Sequence, residues 1–268
     1  MLRFLTAGES HGPSLTAILE GMPAGVPLDA SRLAHEMRRR QLGYGRGPRM
    51  QFETDTVELL SGLRRGKTLG SPIALAIKNK DASIDRLPVV TQPRPGHADL
   101  AGAIKYDHRD IRNVLERASA RETAARVAVG ALCKQLLWPL GVELASHVTA
   151  LGATRAKPVS ATVAMVRRKA DGTPLRCLDA AATKKMIKEI DRCVKAGDTL
   201  GGIFEVIVEG VPPGLGSYVH YDRRLDERIH VHEPPAESLG EPFADAGLAR
   251  PHESGEDDVH CSDMRHET

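Results

Sequence analysis

Aromatic side chains are scarce in this chain: one Trp, four Tyr and four Phe make up 3% of its 268 residues. Proteins that bind single-stranded nucleic acid stack the bases on aromatic side chains, so this composition argues against that class. Long apolar runs are also missing, because no stretch approaches the roughly 18 residues of a membrane-spanning helix. The first residues, MLRF, do not begin a secretory signal. We therefore expect neither a nucleic-acid nor a membrane partner.

Cysteine is rare and scattered. The four cysteines form no CxxC pair and lie at Cys133, Cys177, Cys193 and Cys261. Structural zinc sites need ligands at short, regular spacings, and disulfide frameworks belong to oxidising compartments. The pattern favours buried or incidental thiols in a reducing cytoplasm, and it predicts no metal site.

Charge is divided unevenly along the chain. The net charge is +2, but residues 229–268 hold ten acidic and two basic side chains, which leaves 35 basic and 25 acidic ones in residues 1–228. The basic body suggests anion binding. The acidic tail, which we define as residues 229–268, contains five of the eleven histidines without any zinc-type spacing. Its composition predicts a disordered segment.

The sequence predicts that the body is organised around residues 94–100 (RPGHADL) and a long helix after them. Pro95 and Gly96 predict a turn that fixes His97. Residues 115–123 (LERASARET) then combine cations, hydroxyls and carboxylates on one helical stretch. A fixed histidine beside clustered arginines suits a phosphorylated ligand. The alternative is a solvated helix face whose arginines pair with acidic residues three and four positions away.

Two glycine-rich loops carry further polar groups. Residues 8–12 (GESHG) permit a close backbone approach to a ligand, although a plain polar turn explains them equally well. Residues 43–49 (GYGRGPR) place two arginines on a flexible backbone, which suits bidentate binding of phosphate or carboxylate. The second loop lacks the GxxxxGK[ST] pattern of a nucleotide P-loop. A short basic nucleic-acid patch is its rival explanation.

Hydrophobic periodicity predicts both helices and antiparallel strands. Helices are expected over residues 32–40, 110–137 and 181–195, the last ending at Gly197. Strands are expected over residues 4–7, 15–21, 55–60, 71–77, 141–148 and 201–210. Residues 152–178 give no clear assignment. The elements indicate an α+β protein.

Seven motifs in chain order resemble the chorismate synthase family. They are residues 5–12 (LTAGESHG), 39–41 (RRQ) with 43–47 (GYGRG), 94–99 (RPGHAD), 117–123 (RASARET), 197–202 (GDTLGG), 211–216 (VPPGLG) and 222–226 (DRRLD). The resemblance covers residues 1–228. It implies a β-α-β sandwich, with a helical layer between two antiparallel sheets, assembled as a homotetramer.

The resemblance also implies a reaction, the last step of the shikimate pathway. 5-Enolpyruvylshikimate 3-phosphate loses phosphate and a proton in a 1,4-anti elimination that gives chorismate. The family needs reduced FMN, and NADPH is a possible reductant. A substrate with one phosphate and two carboxylates requires a dense set of arginines.

The roles of individual residues follow from the resemblance alone. Arg40 and Arg46 match positions associated with NADPH, Arg49 and Ser10 match substrate-binding positions, and Arg117, Ala118 and Ser119 match a flavin-binding stretch. His97 matches the acid at the departing phosphate, and His11 matches the acid at the flavin. Histidine suits both roles because its pKa lies near working pH and a neighbouring anion raises it.

The resemblance stops near Arg228. The family continues with a flavin loop and a catalytic aspartate, and the acidic tail resembles neither. We interpret residues 1–228 as a partial, C-terminally incomplete chorismate synthase domain and the tail as aberrant, through truncation or a frameshift. Little turnover is then expected from this chain alone, and the alternative is a catalytically dead flavin- or anion-binding remnant.

Overall fold

A computed structural model describes residues 2–47, 53–212, 215 and 228–233. The chain divides into two compact units, the first made of residues 1–42 and 46–142 and the second of residues 43–45 and 143–268. The partial domain expected over residues 1–228 therefore consists of two units. Both combine antiparallel strands with helices, which confirms the predicted α+β class.

Unit 1 is built on a four-stranded antiparallel sheet in the order β1-β2-β6-β3. Its strands are β1 (Arg3–Ala7), β2 (Ser14–Glu20), β3 (Val57–Leu59) and β6 (Ile73–Lys78). A small hairpin of β4 (Leu63–Arg64) and β5 (Lys67–Thr68) lies between β3 and β6 in the chain. The described part of this unit contains four α-helices: α1 (Ala30–Gln41), α2 (Asp99–Tyr106), α3 (Arg112–Leu115) and α4 (Thr123–Leu137).

The core of unit 1 lies between one face of this sheet and helices α1 and α4. Alternation along β2 buries Leu15, Ala17 and Leu19, as the period of two in a strand requires. Helix α4 contributes several alanines that are buried against the sheet, and their small side chains permit close packing. Helix α1 begins at Asp29, whose side chain accepts a hydrogen bond from the Ser31 backbone.

Unit 2 contains a second antiparallel sheet in the order β10-β9-β7-β8. Its strands are β7 (Glu143–Leu151), β8 (Thr154–Arg155), β9 (Gly202–Glu209) and β10 (Arg228–Glu233). Helix α5 (Val163–Lys169) packs on β7 and β9, and helix α6 (Ala180–Ala196) packs on β7 and β8. Helix α6 ends at Gly197 in the left-handed conformation, as the sequence predicts.

Three parts of the structure differ from the sequence analysis. The long helix expected over residues 110–137 is wrong, because α3 and α4 are separated by an interruption in which Ser119 is extended, at φ −105° and ψ 146°. Helix α2 was not expected. Strand β10 pairs with β9 at the start of the acidic tail, where an irregular segment was predicted, while residues 234–268 lie outside the described part of the chain.

The described residues contain neither a candidate membrane-spanning helix nor a candidate metal-binding cluster. No helix in this part of the chain has the length and apolar character needed to cross a membrane. Across the same residues, no group of three or more His, Cys, Asp and Glu side chains could hold a metal ion.

Candidate functional site

The GESHG loop, residues 8–12, connects β1 to β2 and is held tightly by its surroundings. Gly8 has φ +108°, and a Cβ there would lie 2.4 Å from a backbone oxygen of β2, so only glycine fits. Asn79, which follows β6, donates its side-chain amide to the carbonyl oxygens of Glu9 (3.2 Å) and Gly12 (2.8 Å). The loop is therefore fixed at both ends before any ligand binds.

The imidazole of His11 is anchored on a buried carboxylate, that of Glu116. The His11 backbone N–H donates to Glu116 Oε2 (2.9 Å), and His11 Nδ1 lies 2.8 Å from Oε2 and 3.0 Å from Oε1. Arg112 donates to Oε1 (3.1 Å), and the Glu116 carbonyl accepts from the backbone N–H of buried Ser10 (2.8 Å). On the other side of the ring, His11 Nε2 lies 3.8 Å from Asp81 Oδ2.

The protonation state of Glu116 follows from these contacts. Its side chain is fully buried, and burial alone raises the pKa of a carboxyl group. The hydrogen bonds from His11 and Arg112 outweigh this effect, so that the pKa of Glu116 is lowered from its ordinary value. Glu116 is therefore ionised at neutral pH and accepts hydrogen bonds only.

A second buried carboxylate, that of Asp55, joins two arginines. Arg40 donates to Oδ2 (2.7 Å), Arg121 donates to Oδ1, and the Asp55 side chain is fully buried. Arg121 also donates through Nε to the side-chain oxygen of Asn79 (2.9 Å). Its Nη2 is buried without a hydrogen-bond partner, at 3.7 Å from Glu53 Oε2. We call these five residues the arginine network.

The arginine network is linked to the GESHG loop through Asn79, which binds Arg121 on one side and the loop carbonyls on the other. Burial lowers the pKa of Arg40, as does the positive charge of Arg121, whereas Asp55 raises it. The guanidinium groups nevertheless keep their charge at neutral pH. Two cations thus share the buried carboxylate of Asp55, and the buried carboxylate of Glu53 lies 3.7 Å from Arg121.

Arg117 is tied to strand β1 and to the start of the GESHG loop. It donates to the carbonyl oxygens of Gly8 (3.2 Å) and Thr6 (3.0 Å) and to the Thr6 hydroxyl (2.9 Å). The same hydroxyl donates to Glu122 Oε1 (2.8 Å), which lies 3.9 Å from Arg117. The Arg117 side chain is 38% exposed, so part of the guanidinium still faces solvent.

Ala118 and Ser119 lie in the break between α3 and α4. Both are half-buried, and the Ser119 hydroxyl accepts a hydrogen bond from the backbone N–H of Arg121 (3.2 Å). Serine favours such a capping position because its side-chain oxygen satisfies a free backbone donor. Directly before these two residues, Glu116 and Arg117 contact the GESHG loop.

His97 is positioned by a separate ion pair at the start of α2. Arg94 binds Asp99 through two side-chain hydrogen bonds (2.8 and 3.0 Å), and His97 Nδ1 lies 3.9 Å from Asp99 Oδ1. Gly96 has φ +71°, which explains the glycine in this turn. Burial lowers the pKa of His97, Arg94 lowers it further, and Asp99 opposes both without reversing the sign. The direction is opposite to the increase expected of an acid beside an anion.

Of the remaining two predicted site residues, Arg46 and Arg49, the structure describes only Arg46. Arg46 is exposed and donates through Nε to the Leu42 carbonyl oxygen (3.3 Å). Arg49 lies outside the described residues. The structure thus brings Ser10, His11 and Arg117 to one loop, connects Arg40 to that loop through the arginine network, and holds His97 on a pair of its own.

Sequence reasoning missed the residues that anchor these groups, which are Glu116, Asp55 and Asn79. Glu116 was interpreted as a possible partner of Arg112 on a solvated helix face. The ion pair exists, but it is buried and includes His11. The position of Glu116 directly before the RASARET motif was the available signal. Asp55 and Asn79 gave none, because each lies in an ordinary polar context in the sequence.

Comparisons with known proteins agree on one family. A family model described as chorismate synthase matches residues 2–232. The chain is similar to chorismate synthase 2 of Bacillus cereus, at 54% identity over 245 residues, and to chorismate synthase of Geobacillus thermodenitrificans, at 54% identity over 243 residues. Each match covers 85% of this chain and 63% of the relative. The chain thus spans less than two thirds of their length.

A solved structure shows the same relationship. The crystal structure of a chorismate synthase matches 83% of this chain and 62% of its own, with a TM-score of 0.69 and 47% sequence identity. The match supports the backbone arrangement that positions the residues described above.

Proposed function

Because the chain belongs to the chorismate synthase family, we propose that it acts in the 1,4-anti elimination of phosphate from 5-enolpyruvylshikimate 3-phosphate to give chorismate. The reaction is that of a carbon–oxygen lyase in aromatic amino acid biosynthesis. The observation that carries the proposal is the convergence of the arginine network, Arg117 and the His11–Glu116 pair on the GESHG loop.

The cations of unit 1 account for ligand binding in this proposal. The substrate carries a phosphate and two carboxylates, and guanidinium groups bind both through paired hydrogen bonds. Nη2 of Arg121 has no hydrogen-bond partner and could donate to an anionic oxygen. Ser10 and Arg49 are the substrate-binding residues of the proposal, and Arg40 and Arg46 would hold NADPH.

The flavin of the proposal is reduced FMN, which supplies, when bound, the electron density that assists cleavage of the carbon–oxygen bond. Arg117, Ala118 and Ser119 would hold it. The partly exposed guanidinium of Arg117 and the extended backbone at Ser119 suit a phosphate-bearing cofactor. The set of donors thus fits an anionic flavin.

The two histidines have different starting states in this scheme. His97 is neutral at pH 7 because its pKa lies below the ordinary value of 6.5. It must therefore gain a proton when the substrate phosphate arrives, since a nearby anion favours the imidazolium. It can then protonate the departing phosphate, while His11 would protonate the flavin through Nε2 as the imidazolium, which carries a hydrogen on both ring nitrogens. A homotetramer in the cytoplasm completes the proposal.

Titration of the purified chain with FMN, followed by fluorescence, tests the proposal. FMN should bind to the wild type and bind at least about tenfold more weakly to Arg117→Ala, since a hydrogen bond to a charged group contributes about 1.5–3 kcal/mol. Arg126→Ala is the matched control, because Arg126 is exposed and pairs with Glu122. Its affinity should not change.

An anaerobic assay with reduced FMN and the substrate separates the enzyme from a dead remnant. Formation of chorismate supports the lyase. Binding of FMN and substrate without any chorismate supports an anion-binding remnant of the same fold. Failure to bind either ligand contradicts both readings.

A further inference from the structure

We propose that Glu116 is the positioning residue for His11: it holds the imidazole with the hydrogen on Nδ1 and thereby presents Nε2 to the ligand. The inference deepens the proposed function, since the ligand facing Nε2 is the flavin of that proposal. It rests on the contacts of the fully buried Glu116 carboxylate.

The hydrogen bonds of Glu116 define which ring nitrogen carries the hydrogen. Oε2 accepts from the His11 backbone N–H (2.9 Å), and Oε1 accepts from the Arg112 guanidinium (3.1 Å). Neither of these donors can accept a hydrogen bond. The Arg112 cation beside Oε1 favours the ionised carboxylate, which can only accept, so His11 Nδ1, at 2.8 Å from Oε2, must be a donor. The tautomer follows from this count of donors and acceptors.

Nε2, on the opposite edge of the His11 ring, is the nitrogen that remains available to a ligand. The His11 side chain is 27% exposed, and Nε2 lies 3.8 Å from Asp81 Oδ2, which is beyond hydrogen-bond distance. With Nδ1 committed to Glu116, any exchange of a proton with a ligand occurs at Nε2. An imidazole held in one orientation exchanges a proton at a defined atom: Nε2 accepts a proton in the neutral Nδ1–H tautomer and donates one in the imidazolium.

Glu116 fixes the neighbouring residue of the loop as well. Its main-chain carbonyl accepts from the Ser10 backbone N–H (2.8 Å), while its side chain holds His11. One residue therefore sets the position of two consecutive loop residues. Glu122, six positions later, provides the contrast. Its carboxylate is 26% exposed and binds Thr6 and Arg126.

The test is the tautomer of His11 in the whole chain, measured by 15N NMR with imidazole-labelled histidine. The His11 signals are assigned with His11→Gln, and the pH is raised until these signals stop changing, so that the tautomer of the neutral ring is measured. We expect the Nδ1–H tautomer in the wild type. Glu116→Gln should lower the ratio of Nδ1–H to Nε2–H by about tenfold to a hundredfold, the range for a hydrogen bond to a charged group.

Three further variants separate positioning from a merely structural role. Glu116→Asp keeps an acceptor-only carboxylate and should retain the Nδ1–H tautomer. Glu122→Gln and Asp81→Asn should leave the ratio unchanged, since the first carboxylate binds other residues and the second faces the other nitrogen. A residue that only stabilised the fold would alter the melting temperature without changing the tautomer ratio.

Two results would overturn the inference: an Nε2–H tautomer in the wild type, or an unchanged ratio in folded Glu116→Gln. The wild-type spectrum decides the matter even if that variant does not fold. The measurement needs no flavin or substrate. Absence of FMN binding therefore contradicts the proposed function and leaves the positioning role of Glu116 intact. An Nε2–H tautomer in the wild type contradicts the positioning role and leaves the proposed function intact.

Discussion

Replacement of Asp55 by Asn should destabilise unit 1 strongly. Asp55 lies just before β3 and accepts from Arg40 through one carboxylate oxygen and from Arg121 through the other. Asn keeps the shape but offers a single acceptor oxygen, and its NH2 group faces a guanidinium that can only donate. The variant therefore removes the buried negative charge and leaves two cations close together.

The size of the effect can be worked out from the contacts. Loss of one partner of a buried ion pair costs about 3–5 kcal/mol because the other charge stays buried and unpaired. Two features reduce the cost here: the Asn oxygen still accepts one hydrogen bond, and Glu53 lies 3.7 Å from Arg121. We therefore expect the free energy of unfolding to fall by about 3 kcal/mol, the lower end of that range.

Urea unfolding followed by fluorescence measures the change, since the chain contains one tryptophan, Trp138, and it lies in unit 1. Glu58→Gln is the matched control. Glu58 also pairs with a cation, Lys78, but both side chains are well exposed, and an exposed pair contributes at most about 1 kcal/mol. Equal losses in the two variants would refute this account of the arginine network.

Three other predictions concern single groups. The pKa of His97 is lowered in the folded protein, so the unfolded chain binds a proton at His97 more readily than the folded protein does below pH 6.5. The free energy of unfolding should therefore fall from about pH 7 to pH 5. Urea unfolding of His97→Gln over the same range should show a smaller loss. Asp179→Ala removes the side chain that accepts from the first backbone N–H groups of α6; thermal unfolding should show a loss of about 1 kcal/mol, and FMN affinity should stay unchanged. Burial raises the pKa of the Cys133 thiol, so a thiol reagent should modify it slowly in the native protein and quickly in urea.

Elements with a strong local pattern could be predicted from the sequence. Alternating apolar residues identified β2 and β9, and a helical period with a terminal glycine identified α6. The break between α3 and α4 was not predictable in this way. The apolar spacing continues through residues 116–119, so the period alone favours one helix. Contacts of Glu116 and Arg117 with the distant GESHG loop interrupt the helix, and a local pattern does not record them.

The same distinction, between what a local pattern predicts and what depends on distant contacts, applies to the residues of the candidate site. Cations and histidines in glycine-rich motifs could be found from the sequence, because their chemistry is visible residue by residue. Their anchors could not, since Asp55 and Asn79 become neighbours of Arg121 only when α4 packs on the sheet. The direction in which the pKa of His97 shifts could not be predicted from the sequence either. Its direction depends on burial and on Arg94, which together outweigh Asp99.

Three of the buried carboxylates of unit 1 have the same physical effect, which is to hold a cation or an imidazole in place. Glu116 holds His11, Asp55 holds two arginines, and Asp99 holds Arg94 close to His97. A buried carboxylate is costly unless donors surround it, so each pair locks the position of its partner when the unit folds. The donors therefore need little reorganisation when an anion binds, and less free energy of binding is lost in ordering flexible side chains. It follows that replacing an anchor should weaken anion binding even though the anchor, being negative itself, never touches the ligand.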